Sequence, residues 1–241
     1  MSVDADRPAR PPLPRGRHGL SREEVARVQR DRILDALADA MAESGYVATT
    51  VGDVIKRAGV SRETFYQQFS SKRDCFDAAL AVAGELLTAH LLLAVDQVDG
   101  ARADGDRTDR AEGPGGSGGS GGAEGTGGGP EARVRVGAVV DAYLRAIEEH
   151  PAHARLHLVE VFAAGPEAVA ERTARQEELA GLLAERLGRT DEAGRFAAAV
   201  LVAGISSLVT GPVLAGEPSR LRALRDPLVD VAVDLLDRPS H

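Results

Sequence analysis

Cysteine is all but missing from the 241-residue chain. Cys75 stands alone, which leaves no intrachain disulfide and no cysteine-built zinc cluster, and a reducing cytoplasm suits the composition. The first twenty residues, MSVDADRPARPPLPRGRHGL, lack any apolar run, and their charges and prolines argue against a secretory signal. No run of β-branched residues recurs in period two, which speaks against sheets. Aromatics are few, five Phe and three Tyr with no Trp, yet Phe65, Tyr66 and Phe69 crowd into GVSRETFYQQFSSKRD, residues 59–74. Charge is absent from the 21 residues 196–216, a run long enough for a bilayer. That run is rich in Ala, Gly, Ser and Thr, holds Pro212 and has no aromatic belt. It therefore reads as a helix buried on all sides in a bundle or oligomer, and no membrane partner is expected.

What is present suffices for a folded core, with 43% hydrophobic residues. The formal charge of −8 is unevenly spread: residues 1–75 hold 13 Lys and Arg against 11 Asp and Glu, net +2, leaving 16 against 26, net −10, in the remainder. Any basic surface belongs to the N-terminal third. Residues 97–130 end in GPGGSGGSGGAEGTGGGP and have almost no large apolar side chain after Val98, so little offsets the entropy of ordering them. They read as a disordered linker. Matches to GxSxG at Gly115, Ser117 and Gly119, and to GxGxxG at Gly113, Gly115 and Gly118, lack the strand-turn-helix frame that either motif needs.

Elsewhere the apolar period is helical, which predicts an all-α protein in four parts. These are a disordered basic arm over 1–20, a helical unit over 21–96, the linker over 97–130, and a second helical unit over 131–241. Ser21 and Glu24 form a capping box for a first helix that buries Ile33, Leu37 and Met41 and stops at Gly45. Thr50 caps a second helix broken by Gly59, Ser61 caps a third, and Ser71 caps a long fourth. Past the linker, helices are expected up to Pro151, from there through Leu158 and Phe162, from Pro166 through Leu187, and near 191–215 and 219–237. Pro227 is expected to kink or restart the last of these, with Asp226 as cap.

Two short helices, 51–58 and 61–69, joined at AGVS have the geometry of a helix-turn-helix. Phe65 and Phe69 anchor the second of them, while Tyr66 lies off that stripe among Arg62, Thr64, Gln67 and Gln68. Gln suits adenine edges and Arg suits guanine, whereas the Thr and Tyr hydroxyls and the Lys72 ammonium suit phosphate oxygens. At RILDALADAMAESGYVATTVGDVIKRAGVSRETFYQQFSSKRDCFDAAL, residues 32–80, the chain strongly resembles the TetR/AcrR family of bacterial transcriptional regulators. The resemblance rests on Gly45-Tyr46, Thr49-Thr50-Val51, AGVS, Tyr66-x-x-Phe69 and Ser71-Lys72 occurring together. It implies Thr50, Thr64, Tyr66 and Lys72 at the DNA backbone, Arg62, Gln67 and Gln68 near base edges, Ser61 among the contacting residues, a DNA-binding unit over 21–96, and an all-α effector-binding and dimerisation half over 131–241. Gln67-Gln68 stands where basic or aromatic residues are common, and the Gly-rich insert is atypical, so no operator sequence carries over.

Arg7, Arg10, Arg15 and Arg17 form an acid-free arm. Contact with phosphates or a minor groove, for which Arg15 and Arg17 are the candidates, and a solubilising tail both remain open. Phe196, Val200, Ala203 and Ser207, with the heptad-like Leu221, Leu224, Leu228, Val231 and Leu235, read as a two-fold dimer interface, which makes the DNA site an inverted repeat. His153, His157 and Glu160 share a helical face. Without a second cluster they read as a face lining a pocket or partly exposed, not a metal site, so His157, Glu160 and Tyr143 are the effector-pocket candidates. No cofactor and no catalytic constellation is expected. The leading function is a homodimeric repressor released by a small molecule; the alternative is an architectural or partner-controlled DNA-binding protein without a ligand.

Overall fold

The computed structural model describes residues 21–112 and 130–236, and among them every regular element is helical. The arm bearing Arg15 and Arg17, and the linker residues 113–129, lie outside the described residues. Two units emerge. The first comprises the described chain up to Ala83 together with Ala152–Ala170, and the second comprises Gly84–Pro151 and the chain from Glu171 onward.

In the first unit, α1 (Arg22–Ala48) opens on the expected capping box: Glu24 N–H donates to Ser21 Oγ at 3.1 Å and Ser21 N–H to Glu24 at 2.6 Å. Ile33, Leu37 and Met41 are fully buried at their four-residue spacing. Regular α1 breaks at Gly45, whose φ of 77° is a conformation that a side chain disfavours. Thr50 and Asp53 form a second capping box for α2 (Val51–Ala58), and Gly59 ends it in the left-handed region at φ 66°. Helix α3 (Arg62–Gln68) is capped by Ser61, and α4 (Lys72–Glu112) by Ser71, which accepts from Asp74 N–H at 3.0 Å. The core closes with Val54, Phe65, Phe69, Phe76 and Leu80. It takes Leu156, Val161, Ala164 and Ala168 from the later segment, which holds α6 (Pro151–Arg155), a π-helical turn (Leu156–Glu160), α7 (Val161–Ala164) and the start of α8 (Pro166–Arg186).

The second unit packs α5 (Pro130–Glu149) against α11 (Arg225–Leu236), with α9 (Glu192–Ala215) and α10 (Pro218–Ala223) alongside. Its buried side chains include Leu91, Val95, Val136, Val140, Leu183 and Val209. Ala180, Ala184 and Ala198 form a small-residue seam where α8 meets α9. Arg225 spans both oxygens of Asp141 at 2.9 and 3.0 Å, and these hydrogen bonds, with that to Asp226, raise its pKa. Surface pairs of this kind each stabilise by less than about 1 kcal/mol.

Three expectations change. Residues 97–112 continue α4 instead of opening the linker, because an established helix extends through Ala-, Arg- and Asp-containing sequence without a new nucleation cost. Residues 152–170, expected in the effector half, belong to the first unit, since their apolar face completes its core. The last helix divides at Leu224, so Asp226 lies in the first turn of α11 and is not its cap. Pro227 then also falls in that first turn, where no intrahelical donor is needed.

Candidate nucleic-acid interface

The turn between α2 and α3 is fixed from within. Gly59 and Val60 both donate to Ile55 O, at 3.0 and 3.3 Å, and the Ser61 hydroxyl accepts from Thr64 N–H at 3.0 Å. Phe65 and Phe69 are buried with ring centroids 5.8 Å apart. The Arg30 guanidinium lies 4.4 Å over the Phe69 ring, and its Nη1 donates to Gln68 O at 3.4 Å. One side of α3 is thereby held, and the other faces outward.

That outward side carries Arg62, Glu63, Tyr66 and Gln67, with Thr64 and Gln68 half-buried. Tyr66 is 47% exposed, its ring edge resting on Phe65 at 5.4 Å and the Arg62 guanidinium 5.5 Å from its face. Gln67 donates to Glu63 Oε1 at 3.4 Å, a long bond that a base edge can displace. Thr50 sits exposed at the start of α2 with its hydroxyl donating to Asp53 at 2.6 Å, and this side-chain bond, followed by the backbone one, lowers the Asp53 pKa. The structure thus gathers Thr50, Ser61, Arg62, Thr64, Tyr66, Gln67 and Gln68 on α2, α3 and the turn between them.

Lys72 is placed differently from expectation. Its Nζ donates to Tyr46 O at 2.7 Å and Thr49 O at 2.9 Å, and lies 4.3 Å from the Tyr46 ring. It satisfies carbonyls at the broken end of α1, and burial lowers its pKa. One of the ammonium's three donors remains for a phosphate.

Two further side chains hold this unit and were not singled out from sequence. Arg30 reaches residues 38 positions away, a contact with no local signal. Arg73 grips Asp77 at 2.7 Å and donates to Ala164 O at 2.7 Å.

The effector candidates come apart. Glu160, 5% exposed, accepts the Tyr46 N–H at 2.7 Å beside the Gly45 break and pairs with Arg155 at 3.2 Å. His157 is buried in the same unit. The π turn adds a residue to the helical period, so the regular face expected of His153, His157 and Glu160 is not formed; His153 Nε2 approaches Asp35 at 3.7 Å. A lone acid inside the apolar run LHLVEVF was the available signal for Glu160. Tyr143 lies in the second unit, buried, its hydroxyl 3.5 Å from Ser206 Oγ, which also accepts from Gln176 Nε2 at 2.9 Å; desolvation raises the Tyr143 pKa. A cleft of about 330 Å³ in that unit is lined instead by Gly84, Thr88, Leu92, Arg175, Leu179 and Leu182.

Of the dimer candidates, Phe196 at 71% exposure, Val200, Ala203 and Ser207 line the outer face of α9, continued by Leu208 and Leu214, and Val231 on α11 is 60% exposed. Leu224 and Leu235 are half-buried. Leu221 and Leu228 are corrected: both are buried within their own unit, Leu228 at 6% exposure, where they serve the fold. Both α9 and the span Lys72–Ala103 of α4 are also long and apolar enough to cross a bilayer by length and composition alone. Cys75 is buried, and desolvation pushes its thiol up to about 12, so a thiolate sensor is disfavoured.

Residues 33–79 match the family described as "Bacterial regulatory proteins, tetR family". The HTH-type transcriptional regulator YvdT of Bacillus subtilis (strain 168) is 36% identical over 76 residues, 32% of this chain and 35% of that protein, so the match spans about a third of the relative's length. Among solved structures, the fatty acid degradation regulator FadR from Bacillus halodurans superposes with a TM-score of 0.57 at 18% identity, over 84% of this chain and 97% of that one. The TetR family transcriptional regulator PfmR from Thermus thermophilus gives 0.57 at 20% identity, over 85% and 95%. FadR from Bacillus subtilis, in complex with stearoyl-CoA, gives 0.54 at 19% identity, over 84% and 97%. At these identities the structural likeness establishes the shared fold.

Proposed function

The chain is a transcriptional regulator of the TetR family, whose DNA-binding domain it carries at residues 33–79, and on that basis we propose a homodimeric repressor that a small molecule releases from an inverted-repeat operator in the cytoplasm. The observation that carries the proposal is the outward face of α3. An apolar anchor of Phe65 and Phe69 fixes the helix, leaving Arg62, Tyr66 and Gln67 presented together. Arg62, Gln67 and Gln68 are the base readers in this reading. Thr50, Ser61, Thr64, Tyr66 and the remaining Lys72 donor hold phosphates. The exposed stripe of α9 with Val231 supports the two-fold partner, which would present two recognition helices to one site. Nothing in this assignment calls for catalysis.

The cleft lined by α4 and α8 supports a ligand-released repressor over a ligand-free one. Its volume of about 330 Å³ is near the lower end of small-molecule sites, so it suits a compact ligand or one moiety of a larger one, not a whole acyl-CoA. A neighbour solved with stearoyl-CoA makes free fatty acids, the acyl moiety of that ligand, the first compounds to screen. The test is selection from randomised duplex DNA. An inverted repeat should emerge, and Gln67→Ala should relax preference at one position per half-site by about 1–3 kcal/mol. A selected pool without two-fold symmetry refutes the dimeric reading, and an unchanged preference removes Gln67 from the base readers.

A further inference from the structure

His90 on α4, with Glu149 and His150 at the end of α5, brings one ligand atom from each side chain within 4.8 Å of the others. All three belong to the second unit, yet they are 59 and 60 positions apart in sequence, so no local spacing in the chain announces them. We propose that they form a site for a divalent first-row transition ion of the zinc, cobalt and nickel class; none of the three is among the residues that line the cleft or those assigned to DNA.

The chemistry of the donor set carries the proposal. His90 Nδ1 lies 2.7 Å from Leu86 O. A carbonyl can only accept, so Nδ1 bears the proton and the neutral ring offers its Nε2 lone pair. A backbone carbonyl fixing the tautomer of a ligating imidazole is the usual outer support of such sites. The His150 ring stands edge-on to that of His90, 6.1 Å between centroids at 67°. Two imidazoles and one carboxylate match the ligand types of zinc and its neighbours, whereas magnesium and calcium take oxygen donors. A four-coordinate zinc ion holds its ligand atoms about 3.4 Å apart, given bonds of about 2.0–2.1 Å. Side chains whose ligand atoms already lie within 4.8 Å of one another can close to that spacing by rotation, with water as fourth ligand. The ion would also sit at the C-terminal end of α5, whose last turn carries Glu148 and Glu149 and no basic residue. A dication is favoured there by the helix dipole. Bound, it would tie α4 seven residues beyond Ala83 to the end of α5, one residue before the second unit's border at Pro151.

The test uses the tag-free full-length chain, titrated with Zn²⁺ by calorimetry and with Co²⁺ by visible absorption. One ion per chain is expected, with tetrahedral cobalt bands and a melting temperature that rises with Zn²⁺. His90→Ala and His150→Ala should each weaken binding at least about tenfold and abolish the thermal shift. Glu149→Gln should weaken it less, and His153→Ala, in the first unit, should leave it unchanged. Metal-free melting of each variant, matching the parent, separates ligand loss from misfolding. The proposal is overturned if no ion binds at millimolar concentration, if the His90 and His150 variants bind as the parent does, or if His153→Ala removes binding instead.

Discussion

Tyr66 holds its phenol in the open on the rigid support of Phe65, whereas Lys72 already gives two of its donors to the end of α1. The two should therefore fail differently. Tyr66→Phe removes one hydroxyl and leaves the fold alone, so affinity should fall by about 0.5–1.5 kcal/mol on operator and random DNA alike, at an unchanged melting temperature. Lys72→Ala should lower the melting temperature as well as the affinity, because it uncovers the Tyr46 and Thr49 carbonyls. Its salt dependence should also flatten, by about 0.9 in the log–log slope for each phosphate no longer neutralised. Fluorescence anisotropy over a salt series, paired with thermal melts, reads both, and a Lys72→Ala variant with the parent's melting temperature would discard the capping role. Cys75 makes a prediction of pH. Its thiol titrates near 9.0 when unfolded and at about 12 in the fold, so the folded state binds the proton more tightly. Its stabilising contribution is complete below pH 9 and is lost as pH climbs toward 12, on the order of 4 kcal/mol at about 1.4 per unit. Cys75→Ala should melt less steeply with rising pH over that window, and an identical alkaline profile would contradict the assignment.

At the level of elements, α9 and α11 separate two roles that a heptad pattern cannot. Phe196→Asp alters an exposed side chain on the outer stripe and should abolish the sedimenting dimer while the monomer keeps its melting temperature. Leu228→Asp puts a carboxylate into the unit's own core and should lower stability by several kcal/mol whether or not a partner binds. Dimers that persist in Phe196→Asp would move the interface off this face. Leucines at heptad spacing specify one side of a helix; they do not say which neighbour covers it, and α5 covers Leu228's helix from within the unit. Features set by adjacent residues were legible for the converse reason. The Ser21, Thr50, Ser61 and Ser71 caps, the stop at Gly59 and the buried pair on α3 each depend on side chains within a turn or two. The outward residues of α3 followed from that pair. The Lys72 carbonyl contacts, the Glu160 bond to Tyr46 and the 330 Å³ cleft all join residues distant in sequence, and no periodicity encodes them. The π turn also escaped, because it changes the very period by which the face of His153, His157 and Glu160 was read.

At the level of the molecule, the DNA-reading unit is assembled from two separated pieces of chain, with Leu156, Val161, Ala164 and Ala168 sealing a core otherwise built before residue 84. A fragment ending at residue 96 should accordingly melt below the intact protein and bind a hydrophobic dye that the intact protein excludes. In the full chain, Leu156→Ala should cost about 2–5 kcal/mol and show in the same transition as the DNA-reading helices. A fragment as stable as the parent unit would show that the second piece is dispensable. The same construction limits how new regulators of this type arise. A hybrid made by grafting the first 83 residues onto a foreign C-terminal half would receive that half's version of residues 152–170, and with it an ill-fitting seal and no guarantee of an acid at the Gly45 break. The helices that read DNA in this protein keep their fold only together with residues 152–170, so the reader and its later segment must evolve as one lineage.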